Sequence, residues 1–155
     1  MIIRAFDNAE AAALRDLLTR AFGQPDEADL CEALRADGDM ALELVAEAKK
    51  KIVGHVALSR MKSPAGWLAL APLSTDPRQQ RRGIGSALCQ MALQYANAPV
   101  VVLGEQGFYE RNGFDFARAR NLRSPYPVAH TGLFAPALED PAPACELVYA
   151  PAFGG

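Results

Sequence analysis

The chain has 155 residues, half of them hydrophobic, which suits one domain built around one core. Its net charge of −2 and pI near 5.7 lack the basic excess that a nucleic-acid or anionic-membrane surface requires, so the arginines read as local devices. Three cysteines, Cys31, Cys89 and Cys145, are odd in number and widely spaced, with no C-x-x-C pair. They read as buried thiols of a reducing compartment, and the absence of a long apolar run at the start or elsewhere predicts a cytoplasmic protein.

Residues 2–6 are short and apolar, and Asp7 to Glu10 has the D-x-x-E form of a capping box, so a strand runs into a helix with Leu14, Leu17 and Leu18 on its buried face. Gly23 and Pro25 end that segment. The acidic start Asp26, Glu27, Asp29 opens a second helix carrying Leu30, Cys31 and Leu34, closed by residues 37–39. Residues 42–47 and 51–59 are β-like runs joined by the polar turn Ala48, Lys49, Lys50, a hairpin. Residues 67–74 extend it into an antiparallel meander. Pro72 cannot donate to a ladder, so it predicts a bulge or a place where the strand leaves a neighbour; an edge strand is also open.

The stretch LSTDPRQQRRGIGSALCQMALQYAN, residues 73–97, reads as a strand end, a basic glycine-punctuated turn and an amphipathic helix with Ile84, Leu88, Met91 and Tyr95 at helical spacing. The first amides of a helix lack internal partners and lie at the positive end of its dipole, so residues 80–86 form an anion site. Glycine inside a first turn is costly, and Arg78, Arg81 and Arg82 crowd a helix end where the dipole disfavours cations unless an anion binds. No lysine follows either glycine, which excludes a nucleoside-triphosphate P-loop, and Leu88 stands where a dinucleotide fingerprint needs its third glycine.

What remains is Q-x-x-G-x-G, glutamine 80 through glycine 85, after an apolar strand and a D-P turn. This resembles the acyl-coenzyme-A pyrophosphate loop of the GNAT N-acetyltransferase superfamily. The resemblance implies that Gln80, Arg81, Arg82, Gly83, Ile84, Gly85 and Ser86 hold the pyrophosphate. It also implies that the preceding strand splays from the next parallel strand, with Leu73, Ser74 and Thr75 bonding the pantetheine arm through their backbone.

After the long helix, Ala98 and Pro99 break the chain, and Val100–Leu103 is a buried parallel strand completing a βαβ unit. Residues 104–107 are a turn, 108–112 a short helix stopped by Gly113, and 114–117 strand again. From Arg118 on the chain is proline-rich, with residues 145–149 reading as one more strand that can pair across a homodimer as an edge. The expected architecture is a single GNAT-type α/β domain over residues 1–155. Its sheet is mixed and mostly antiparallel, with a central splayed parallel pair flanked by helices. The core spans about residues 1–117, and residues 118–155 complete the sheet and the acceptor side.

The run FYERNGF, residues 108–114, resembles the Y-x-x-x-G-F signature of the same superfamily, in which the tyrosine matching Tyr109 lies beside the coenzyme sulfur as general acid. A packing role for the Tyr-Phe pair is the other reading. The resemblance extends to a subset of small bacterial GNAT proteins and implies acetyl transfer from acetyl-coenzyme A to an amine by direct attack in a ternary complex.

An alkyl amine with a pKa of about 10.4 must lose a proton before it attacks. Residues 67–75 carry no acid, a departure from members with a carboxylate on this strand. Glu105, at the carboxyl end of the parallel strand, is therefore the first candidate base, with a solvated turn glutamate as its plainer reading. Glu43, Glu47 and His55 are placed behind it, His55 reading as a hydrogen-bonded core histidine. Arg111, Arg118, Arg120 and Arg123 read as a solvated face or as contacts to an acidic acceptor or the coenzyme 3′-phosphate. With two histidines and no paired ligands, no metal site is expected. An acyl-coenzyme-A-binding domain without turnover is the alternative reading, and the acceptor is not specified by any pattern.

Overall fold

β1 (Ile2–Ala5) leads to a capping box in which Asp7 accepts the Ala9 N–H at 2.9 Å and Glu10 accepts the Asp7 N–H at 3.1 Å. This computed structural model describes residues 1–139 and 141–154. The box feeds α1 (Ala11–Phe22), which buries Leu14, Leu17 and Leu18 and closes at left-handed Gly23, whose N–H reaches Thr19. α2 (Asp26–Ala36) opens on its three acids, which complement the helix dipole, and buries Ala28, Cys31 and Leu34.

β2 (Met40–Ala48), β3 (Lys51–Arg60) and β4 (Leu68–Thr75) form the meander, and α3 (Ile84–Ala96) crosses to β5 (Val100–Leu103). α4 (Gln106–Arg111) follows, and β6 (Thr131–Phe134) closes a six-stranded sheet in the order β1-β2-β3-β4-β5-β6. Every pairing is antiparallel except β4 with β5. The expected mixed sheet with one parallel pair is therefore present.

Alternation along the strands divides the core between two faces. Val100 and Val102 of β5 pack toward α3, beside Val56, Leu58, Leu88 and Ala92. Val101 turns the other way, into a cluster with Trp67, Ala69, Leu133 and Leu147. α1 and α2 supply a third cluster over the meander. Cys31 and Cys89 are buried free thiols and Cys145 is half-buried.

Four expectations change. The buried stripe of α3 is Ile84, Leu88, Cys89, Ala92 and Leu93, while Tyr95 is 66% exposed: the helix is rotated so that its aliphatic residues and Cys89, not its aromatic ring, approach the sheet. Residues 114–117 make a single bridge, Asp115 to Leu133, because Asp115 also accepts the Arg118 N–H at 2.8 Å and turns the chain into a 3-10 segment. Residues 145–149 likewise form no strand, only bridges from Glu146 to Arg123 and from Val148 to Ser63, so the edge expected to pair in a homodimer is not a strand. β6 was not anticipated. Its Gly132 reads locally as a breaker, yet a Cβ there would lie 2.7 Å from the Phe116 ring, so close packing requires the glycine.

Candidate active site at the splay between β4 and β5

Pairing of β4 with β5 covers only Leu68 with Val100, Ala69 with Val101 and Leu70 with Val102. Beyond Leu70 the strands part, and the cause is at Pro72. Two residues of β4, Ala71 and Pro72, stand opposite the single residue Ala57 of β3, a bulge that bends β4 away from β5. The Asp76 N–H then bonds Val53 O, and His55 lies opposite Ser74. Since backbone groups alternate along a strand, the N–H and C=O groups of Leu73 and Thr75 point away from β3, into the gap. Leu73 and Thr75 thus present backbone groups to the gap, whereas the backbone of Ser74 faces β3 and its side chain is buried on the face of His55.

The loop after β4 is a chain of constrained residues. Asp76 caps the 3-10 turn Pro77–Gln79 by accepting the Arg78 N–H at 3.0 Å, and it also accepts from Arg78 Nη2 at 3.2 Å and Arg20 Nη2 at 3.1 Å. The Arg78 bonds, with Arg20 behind them, hold this buried carboxyl well below the usual carboxylate range. Arg78, though largely exposed, is therefore paired with Asp76, whereas Arg81 and Arg82 make no ion pair among the described residues. Arg81 and Gly83 both adopt left-handed backbone, at φ +65° and +75°, and such alternation turns successive N–H groups toward one side. Gly83 is the N-cap of α3, and no side chain caps the helix. The N–H groups of Ile84, Gly85 and Ser86 have no acceptor within the helix and are free for an anion.

α4 closes the site from the β5 side. A Cβ built on Gly85 would meet the Phe108 ring at 3.6 Å and Thr75 Oγ1 at 3.7 Å, so strand, loop and α4 converge on this glycine. Tyr109 stands edge-on to Phe108 and Phe114, with ring centroids 5.0 and 5.6 Å away, and its ring lies against Gly104, where a Cβ would approach it to 2.7 Å. Burial, with smaller contributions from Cys89 and Glu105, pushes the phenol up to about 12. Its hydroxyl makes no hydrogen bond among the described residues. Glu105 is exposed just beyond β5, where its carbonyl accepts the Tyr109 N–H at 3.2 Å.

Phe108 packs as read, and its ring borders the loop glycine. One residue of this site escaped the sequence reading. Asn112, buried, donates to Ser86 Oγ at 3.3 Å and Phe108 O at 2.9 Å, and accepts from Gln90 at 3.1 Å, which ties α4 to the start of α3. Asn112 stands beside the charged Glu110 and Arg111, so nothing local singled it out.

The other candidate bases are committed elsewhere. Glu47 and Glu10 clasp Arg4. Glu43 accepts from Arg35 at 2.7 and 2.9 Å and stands 2.9 Å from His55 Nε2, His55 being a fully buried, hydrogen-bonded core histidine. Ligand atoms of Cys31, Glu43 and His55 lie within 4.8 Å of one another. The chemistry of this set does not suit a cation, because Arg35 already brings a positive charge to the carboxylate and burial pushes the Cys31 thiol up to about 12. Of the basic cluster, Arg118 is spent on the carbonyls of Ala135 and Leu138.

Residues 11–114 match the Acetyltransferase (GNAT) family. The chain belongs to that family. It is 35% identical over 135 residues to the uncharacterized N-acetyltransferase YjhQ of Escherichia coli K12, covering 79% of this chain and 74% of that one. It is 33% identical to the uncharacterized N-acetyltransferase YhbS of the same organism, covering 82% and 81%. The fold of this GNAT chain matches a crystal structure of E. coli YhbS in complex with CoA at a TM-score of 0.91 and 28% identity, over 99% of this chain and 92% of that one. It also matches a GNAT acetyltransferase from Brucella melitensis in complex with acetyl-CoA at a TM-score of 0.84 and 29% identity, over 98% and 97%. Among the described residues no helix is long and apolar enough to cross a membrane.

Proposed function

We propose that this GNAT protein transfers an acetyl group from acetyl-coenzyme A to an amine, by direct attack within a ternary complex. The observation that carries the reading is the convergence, at Gly85, of the uncapped start of α3, the unpaired edge of β4 and the aromatic pair of α4. These residues fit the coenzyme: residues 80–86 offer amides and two unpaired arginines to a diphosphate, and Leu73 and Thr75 offer open backbone groups to an amide-bearing arm.

Acetyl-coenzyme A supplies the activated acetyl thioester. The protein's part is to hold the amine against it, to polarise the carbonyl through backbone N–H groups and to manage protons. Glu105, exposed beside the gap, takes the proton of the incoming ammonium. Tyr109 keeps its own proton at neutral pH. With the phenol near 12 and an ordinary thiol near 8.5, full transfer to the departing thiolate is uphill, so Tyr109 acts by donating a strong hydrogen bond to it. The C-terminal segment, residues 118–155, completes the acceptor side.

A thermal melt with acetyl-coenzyme A, coenzyme A, ATP and NAD in parallel tests the reading. At a hundredfold excess over Kd, a specific ligand stabilises by about 2.7 kcal/mol, a shift of several degrees at this size. A shift with the coenzyme-A ligands alone supports the assignment, and a shift with ATP or NAD instead removes it. The absence of an acid on β4 favours a second reading, coenzyme binding without turnover, which predicts that shift but no thiol release over an amine panel.

A further inference from the structure

The largest cleft described, about 630 Å³, borders the β4–α3 loop at Asp76, Arg78, Gln79 and Arg82 and lies between α1 and the turn joining β2 to β3. Six cationic side chains line it against three acidic ones, in a protein whose net charge is −2. The acids are largely spoken for: Glu10 is held by Arg4 and Asp76 by Arg20 and Arg78. Lys49, Lys50, Lys51 and Arg82 have no ion-pair partner among the described residues, so the cleft carries uncompensated positive charge focused within low-dielectric walls.

The turn itself gives a second, independent observation. Lys49 and Lys50 are the two central residues between paired Ala48 and Lys51, and both are left-handed, at φ +50° and +64°. A two-residue hairpin turn of this kind favours Asn-Gly, and a long-chain residue there is strained. Two adjacent lysines thus stand at positions that backbone preference opposes, and such positions point to function.

We propose that this cleft is a second anion site, which takes a multiply charged phosphate through Lys49, Lys50 and Lys51. Two sources carry that chemistry: a free polyphosphate, or the 3′-phosphate of coenzyme A folded over the loop, the latter resting on the function proposed above.

Sodium tripolyphosphate is titrated calorimetrically into the wild-type protein saturated with dephospho-coenzyme A, which supplies a diphosphate to the α3 loop but no 3′-phosphate. Binding at 150 mM salt, weakened at least tenfold by Lys49→Asn with Lys50→Gly and also by Lys51→Gln, supports the site. The double variant should melt higher, not lower, because its turn is relaxed, so lost binding is not lost folding. Saturation with coenzyme A instead distinguishes the sources: abolished tripolyphosphate binding assigns the cleft to the 3′-phosphate, and retained binding assigns it to a free polyphosphate. Tripolyphosphate affinity that is absent, or indifferent to the lysines, overturns the proposal. If neither coenzyme A nor dephospho-coenzyme A binds, the function proposed above falls, while lysine-dependent tripolyphosphate binding to the free protein is still read directly.

Discussion

His55 Nε2 lies 2.9 Å from Glu43 Oε1 in the interior, and Arg35 grips the same carboxylate from the other side. Burial pushes the imidazole below its ordinary value, against the pull of Glu43. Burial alone would raise Glu43, but its bonds to His55 and Arg35 outweigh that and hold it below the usual carboxylate range. Cys31 faces the pair from α2 as a neutral thiol. Both shifts have the same consequence on acidification. The unfolded chain takes up a proton on His55 below about pH 6.5 and on Glu43 below about pH 4.3, before the folded protein does, so stability is full above those values and falls beneath them. Each fully linked proton removes up to about 1.4 kcal/mol per pH unit. Melting temperatures at pH 7.5 and pH 5 should diverge more for the wild type than for His55→Gln. Equal divergence would detach His55 from the acid response.

Asn112 binds α4 to α3 through two hydrogen bonds, to Ser86 and from Gln90, and holds the Phe108 carbonyl with a third. Asn112→Ala should cost about 1–3 kcal/mol, the penalty of stranding buried polar groups. It should also weaken coenzyme-A binding, because Phe108 and Ser86 lose their common anchor. Urea melts and calorimetry on the same samples separate the two effects, and unchanged coenzyme affinity would leave Asn112 a purely structural residue.

Tyr109→Phe removes a donor while keeping the ring that packs on Phe108, Phe114 and Gly104. A hydrogen bond to a charged group contributes about 1.5–3 kcal/mol, so kcat should fall roughly 10- to 150-fold with little change in KM for acetyl-coenzyme A. Steady-state thiol release measures both constants. Full activity in the variant would take Tyr109 out of the chemistry.

Gly54 lies beneath the first turns of α3, where a Cβ would meet Leu88 Cδ1 at 2.8 Å and Ile84 Cγ2 at 2.9 Å. Both methyls belong to the core, so they cannot swing aside. Gly54→Ala should destabilise by about 1–3 kcal/mol through overpacking and should shift the helix start that carries the anion site. A urea midpoint equal to that of the wild type would show that the helix can ride up at no cost.

The elements from β1 to α4 were legible because their signals are local: a capping box at Asp7, left-handed closure at Gly23, apolar runs between turns. Pro72 gave away the bulge for the same reason. β6 and the chain around Glu146 were not legible, since Thr131–Phe134 is a strand only through pairing with β5 and Gly132 is explained only by the Phe116 ring. The loop glycines and Tyr109 could be read from motif spacing. The pairing of Arg78 with Asp76 and the anchoring by Asn112 depend on contacts that no spacing reveals.

The three-position ladder between β4 and β5 leaves the N–H groups of Leu73 and Thr75 facing a gap rather than a strand. In deuterated solvent these two amides should exchange far faster than those of Ser74 and Asp76, which point to β3, although all four lie within one turn of chain. A ligand that seats itself along β4 as an additional strand would slow Leu73 and Thr75 selectively. Two exchange rates therefore report occupancy of the gap before any acceptor amine has been found.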